Sequence, residues 1–145
     1  MTDEDWMKIA LEEAKKALSE DNVPIGAVIV KNNLLIAKAH NNAETPLHHA
    51  EQLVIKEALK KDKFLYDYTL YVTIEPCTMC AGSIVLARVG RVVFGAFDSK
   101  AGAVGSLYNI LADKRLNHNP KISYGILQKE CSAILTDFFK RKRKN

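Results

Sequence analysis

Residues 68–87, Tyr-Thr-Leu-Tyr-Val-Thr-Ile-Glu-Pro-Cys-Thr-Met-Cys-Ala-Gly-Ser-Ile-Val-Leu-Ala, read as a strand from Tyr68 to Ile74 that passes through Glu75-Pro76 into a helix from Thr78 to Ala87. Cys77 and Cys80 fall at the start of that helix, three positions apart, a spacing that lets one tetrahedral ion take both thiolates. Ligand-bearing residues at a strand end and helix start are typical of an open α/β sheet.

Upstream, His49-Ala50-Glu51 supplies what the cysteines lack. His49 offers a third ligand of suitable softness, and three protein ligands leave a fourth position open, as in catalytic rather than structural zinc sites. Glu51, two residues on, can take a proton from the attacking water and hand it to a leaving group without being a ligand itself. A Cys-x-x-Cys pair alone also occurs in zinc ribbons and redox motifs. A ribbon, however, needs a second pair, and the third cysteine, Cys131, stands by itself far downstream. His48 is a second imidazole within reach of the ligand position, although the spacing to Glu51 favours His49. His-x-Glu followed by Pro-Cys-x-x-Cys is the signature recognised in zinc-dependent base deaminases, tRNA adenosine deaminases among them.

Working outward, Asp3 to about Ser19 predicts an amphipathic helix with Thr2 as N-cap, its apolar side formed by Trp6, Ile9, Ala10, Ala17 and Leu18. Glu12, Glu13, Lys15 and Lys16 lie on the other side. The β-branched run from Ile25 to Val30 predicts a buried strand, Asn32-Asn33 a hairpin turn, and Leu34 to His40 the returning strand. A polar loop then leads to His49 at the start of a helix from Ala50 to about Lys60. Two helix N-termini therefore converge on one ion, and their positive ends favour anionic ligands. Further strands are expected at Arg91 to Ala96 and Ile122 to Gly125, with a short helix at Leu107 to Leu111. A last helix from Leu127 to about Lys142 presents Ile134, Leu135 and Phe138 inward, with Cys131 as a core residue. Helices alternating with strands predict a three-layer α/β/α sandwich around a central mixed sheet.

The 145 residues suit a single domain, 1–145, with a basic end to its last helix at residues 140–144. An apolar fraction of 48% and a charged fraction of 26% fit a globular chain. Thr2-Asp3-Glu4-Asp5 does not resemble a signal peptide, no apolar run approaches membrane-spanning length, and an odd cysteine count suits a reducing compartment, so a cytoplasmic protein is expected. The net charge of +4 is local, since Lys140–Lys144 holds five of the 21 basic side chains and leaves 16 against 17 acidic ones. Such a run is either a solvated tail or a footprint for phosphates, the latter favoured by the preceding Phe138 and Phe139.

Taken together, His49-Ala50-Glu51, Pro76-Cys77-Thr78-Met79-Cys80-Ala81-Gly82, Gly95-Ala96-Phe97-Asp98-Ser99-Lys100, Gly105-Ser106, Asn117-His118 and Asp137-Phe138-Phe139 resemble the bacterial tRNA-specific adenosine deaminases of the TadA type, in the cytidine and deoxycytidylate deaminase superfamily. The resemblance spans nearly the whole chain. It implies a cytidine deaminase-like fold and hydrolytic deamination of the wobble adenosine in the anticodon stem-loop of a tRNA, an arginine tRNA in particular. It further implies a homodimer with the RNA site across its interface, one Zn²⁺ per subunit held by His49, Cys77 and Cys80, no organic cofactor and no membrane. By the same likeness Glu51 is the catalytic proton carrier, and Asn41, Ala50, Asp98 and Lys100 contact the substrate. Two features depart from the pattern: the loop from Asn41 to His49 is short, and Phe97 replaces a common arginine. The rival readings are a deaminase of a free base or nucleoside such as guanine or cytosine, and a noncatalytic zinc-stabilised RNA-binding module.

Overall fold

The computed structural model describes residues 1–144. Five strands, β1 (Gly26–Lys31), β2 (Leu34–His40), β3 (Tyr68–Ile74), β4 (Arg91–Ala96) and β5 (Lys121–Tyr124), form one sheet in the order β2-β1-β3-β4-β5. The sheet is mixed because β1 runs antiparallel to both β2 and β3, whereas β3, β4 and β5 are parallel. The hairpin between β1 and β2 closes on Asn32 and Asn33 with φ of 51° and 59°. Two successive left-handed residues match the twist of the flanking strands, and asparagine tolerates that conformation better than most residues.

Helices α1 (Asp3–Ser19), α2 (Ala50–Leu59), α3 (Thr78–Ala87) and α4 (Gln128–Lys144) cover both faces. Alternation along the strands sorts the side chains. Ala27, Ile29, Leu70, Val72, Val92 and Phe94 pack with Val54, Ile55, Ala58, Ala81 and Ile84 of α2 and α3, while Val28, Val30, Tyr71 and Val93 pack with Trp6, Met7, Ala10 and Cys131 of α1 and α4. The three-layer α/β/α arrangement expected from the sequence is therefore the observed one. Each large apolar side chain buried in this way contributes roughly 1.5–3 kcal/mol, and this burial on both faces holds the strand ends that carry the site.

The first helix begins on Thr2, whose side chain accepts from the Asp5 N–H while Asp5 caps the Thr2 N–H in return. One residue on its outer side departs from expectation. Glu13 is buried, because Lys16 at 2.6 Å and His40 at 3.1 Å pair with its carboxylate where the helix crosses β2. The short helix expected at Leu107 to Leu111 is instead a 3-10 turn at Ile110–Ala112. Gly105, at φ 133°, and a bridge between Val104 and Asn109 fold the preceding residues into a tight loop that leaves no room for a helical start.

Candidate active site

The parallel strands β3 and β4 end on the same edge of the sheet, and the chain leaves them into Cys77 and Asp98 respectively. At that edge α2 and α3 also begin. His49 is the N-cap of α2 and Cys77 the N-cap of α3, both in extended conformation and neither making the side-chain capping bond usual at that position. Their donor atoms are consequently free for another partner. The cap of α2 is supplied from elsewhere, as Asn41 Oδ1 accepts the Ala50 N–H at 2.8 Å.

His49 Nδ1 lies 3.5 Å from Cys77 Sγ and 3.6 Å from Cys80 Sγ. A tetrahedral zinc with bonds of about 2.0–2.1 Å to nitrogen and 2.3 Å to sulfur requires an N···S separation of about 3.5 Å, so His49 already stands from each thiol at the spacing the ion demands. Among the described residues this is the group whose donor atoms converge closely enough to hold a metal, and no carboxylate joins it. Three donors leave one tetrahedral position for water or substrate. His48 is turned elsewhere, its Nδ1 against Asn42 Oδ1 at 2.9 Å and Glu44 at 3.4 Å.

The three candidate ligands strongly influence one another's protonation, and a cation would have to displace the proton that they share. The hydrogen bond from the Cys80 thiol, with help from His49, pulls Cys77 down to about 4. The thiolate on Cys77 in turn pushes Cys80 up, so the pair shares one proton until a cation displaces it. His49 is raised, first by its hydrogen bond to Cys77. Glu51, in the first turn of α2, is only 3% exposed. Burial, the largest influence on it, pushes its carboxyl up to about 7. A carboxyl that gains and loses a proton near neutrality suits general acid–base work.

The remaining predicted residues differ in what they have free. Ala50 is fully buried with its N–H engaged by Asn41. Asp98 turns one carboxylate oxygen back onto the N–H groups of Lys100 and Ala101, at 3.0 and 3.2 Å. The Lys100 side chain is exposed and lines a groove of about 770 Å³ between α4 and the ends of β3 and β4, together with Phe97, Phe139, Lys142 and Arg143. His40 and His118 are taken up elsewhere, by Glu13 and Glu20 and by the Val89 carbonyl. Two residues had no signal in the sequence. Gln52 of α2 donates to Ser83 of α3 at 2.5 Å, tying together the two helices that begin at the site. Glu75 is buried, and although burial pushes its carboxyl up, the Ser106 hydroxyl and three backbone N–H groups hold it below the usual carboxylate range.

Comparison with known proteins agrees with this geometry. The model of MafB19-like deaminases matches residues 1–143. A tRNA-specific adenosine deaminase of Bacillus subtilis is 52% identical over 98% of this chain and 91% of its own, and one of Aquifex aeolicus is 47% identical over 100% and 99%. A solved structure from work on A-to-I editing by tRNA:A34 deaminases at the wobble position of transfer RNA superposes with a TM-score of 0.85 at 39% identity, covering 90% of this chain and 98% of that one.

Proposed function

Since the chain belongs to the MafB19-like deaminases and, within them, to the tRNA-specific adenosine deaminases, we propose that it converts the wobble adenosine of a tRNA anticodon loop to inosine, releasing ammonia, at the site around Glu51. The observation that carries the mechanism is the pair of unused N-caps, His49 and Cys77, at tetrahedral spacing with Cys80 and next to a buried carboxylate. Two thiolates and an imidazole suit zinc, one ion per chain, and when bound the ion supplies a water acidified enough to attack at neutral pH.

Glu51 carries the protons. It accepts one from the attacking water as oxygen adds to C6 of the purine, and delivers it to N1. It then passes the second proton of that water to the 6-amino group, which leaves as ammonia, and the oxygen stays behind as the carbonyl of inosine. Burial keeps the Glu51 carboxyl dry enough to be protonated and deprotonated at similar cost. Asn41 borders the nucleoside, with the buried Ala50 N–H holding its side-chain oxygen in place, while Asp98 and Lys100 border its neighbours in the loop. The base of an anticodon loop is already unpaired, so drawing it into such a site costs little.

Two copies pair through the outer side of α3, where Leu86 is 75% exposed beside Met79 and Gly82. Sedimentation of a Leu86→Asp variant as a monomer would support this pairing. The three cysteines are free thiols, which agrees with a cytoplasmic setting, and among the described residues no helix is long and apolar enough to cross a membrane.

The test is to incubate the zinc-loaded protein and its Glu51→Ala variant with an anticodon stem-loop bearing a wobble adenosine, and separately with guanine, cytosine and adenosine. Inosine in the RNA, absent with the variant, is the expected result. Turnover of a free base with the RNA untouched would replace the substrate while keeping the chemistry.

A further inference from the structure

Glu75 stands between the end of β3 and Cys77, and its side chain is 2% exposed. A carboxylate that deeply buried is costly unless its oxygens are fully satisfied. Here the partners all come from one loop. Oε1 accepts the Asp98 N–H at 3.0 Å and the Ser106 hydroxyl, and Oε2 accepts the Val104 and Ser106 N–H groups at 2.9 and 3.0 Å. The main chain adds to this, since the Ala103 N–H donates to the Pro76 carbonyl at 2.9 Å. Gly102 lies flat against the carboxylate, where a Cβ would come within 2.3 Å of Glu75 Cδ. The loop from Asp98 to Ser106 is thus wrapped around a single side chain whose backbone leads directly to the Cys77 ligand.

We infer that Glu75 is a positioning residue that locks the Asp98–Ser106 loop, with Asp98 and Lys100, in register with the metal-binding cysteine turn. The inference rests on the tRNA deaminase reading for its consequence, and on the hydrogen bonds alone for the lock. Its direction follows from the donors. In Glu75→Gln, an amide nitrogen placed where Oε2 lies would confront two backbone N–H groups. Placed where Oε1 lies, it can donate to the Ser106 oxygen, but it strands the Asp98 N–H. The second arrangement loses less, so Glu75→Gln loosens the loop at Asp98 while the cysteine turn keeps its main-chain bonds.

The experiment compares wild type with Glu75→Gln, Ser106→Ala, Asp98→Ala and the double variant Glu75→Gln/Asp98→Ala, each with zinc content measured. Losing a hydrogen bond to a charged group corresponds to roughly a tenfold effect. Glu75→Gln is therefore expected to raise KM for the stem-loop by about tenfold, with kcat within about threefold and zinc unchanged. Ser106→Ala, which removes one donor and no charge, should move KM the same way by less. If Glu75 acts through Asp98, the double variant should be no worse than Asp98→Ala. An unchanged KM in Glu75→Gln with a lowered melting temperature, or fully additive effects in the double variant, overturns the proposal. Amide exchange at Asp98, Val104 and Ser106 reads the lock independently of turnover. Faster exchange at Asp98 in Glu75→Gln supports it even if RNA is not the substrate, and unchanged exchange at all three positions refutes it.

Discussion

At the scale of single residues, adjacent side chains have separate tasks. His48 and His49 are neighbours, yet His48 faces Asn42 and Glu44 while His49 Nδ1 faces both thiols. His49→Ala should therefore bind less than a full equivalent of zinc and lose turnover, whereas His48→Ala should retain one zinc per chain by atomic emission. Equal zinc loss in both would contradict the ligand assignment. Glu51→Gln preserves shape and burial but cannot carry a proton. It should keep zinc and fold while turnover on the stem-loop falls by about 10²–10⁴ or more, and a loss under about tenfold would remove Glu51 from its role. The convergence of His49, Cys77 and Cys80 was legible because metal chemistry restricts both residue type and spacing. Glu75 was not, since a carboxylate at a strand end has no pattern until the fold brings Asp98, Val104 and Ser106 around it.

Among elements, legibility followed the strength of the local signal. The Asn32-Asn33 hairpin and the strands Tyr68–Ile74 and Arg91–Ala96 were readable residue by residue, because turn chemistry and β-branched runs act locally. The burial of Glu13 depends on His40 of a distant strand, and the 3-10 turn at Ile110–Ala112 on a loop closed by Val104 and Asn109, so neither was visible in a window of sequence. Packing between elements yields its own tests. A Cβ at Gly26 would lie 2.0 Å from the Ala10 carbonyl and 2.6 Å from the Ala14 nitrogen, so β1 approaches α1 too closely for any side chain. Gly26→Ala should cost at least about 2 kcal/mol in urea unfolding. The start of α1 is also tied to β4, where Arg91 forms a two-pronged pair with Asp3 at 2.6 and 2.8 Å and Tyr71 donates to the same carboxylate at 2.7 Å. The Arg91 hydrogen bond is the main influence holding Asp3 below the usual carboxylate range. A lowered folded-state pKa means the unfolded chain takes up the proton first as pH falls. The contribution is thus whole above the unfolded value of about 3.9 and is lost below it. Asp3→Asn should destabilise by about 1 kcal/mol at pH 7, discounted for partial exposure, and the difference from wild type should shrink as denaturation is repeated from pH 5 down to pH 3.

For the whole molecule, the distribution of charge determines how a polyanion meets the site. Without the Lys140–Lys144 run the chain is nearly neutral, and that run ends the helix flanking the groove that also holds Lys100, Phe97 and Phe139. Lys142 reaches Asp21 at 2.5 Å, with side chains 45% and 75% exposed. An ion pair so open to water is worth little, so a phosphate can displace Asp21 at small cost. Each phosphate neutralised on a single-stranded loop contributes about 0.7 to the slope of log affinity against log salt. Replacing Lys140, Arg141, Lys142 and Arg143 with glutamine should therefore weaken stem-loop binding at low salt and flatten that slope by about 1–3. The kcat at saturating RNA should hold, because none of the four belongs to the His49, Glu51, Cys77 and Cys80 group. Fluorescence anisotropy of a labelled stem-loop between about 50 and 300 mM salt, at roughly equal steps in log salt, reads the slope directly. An unchanged slope would make the tail a solvated end and leave Lys100 and the aromatics of the groove to hold the RNA.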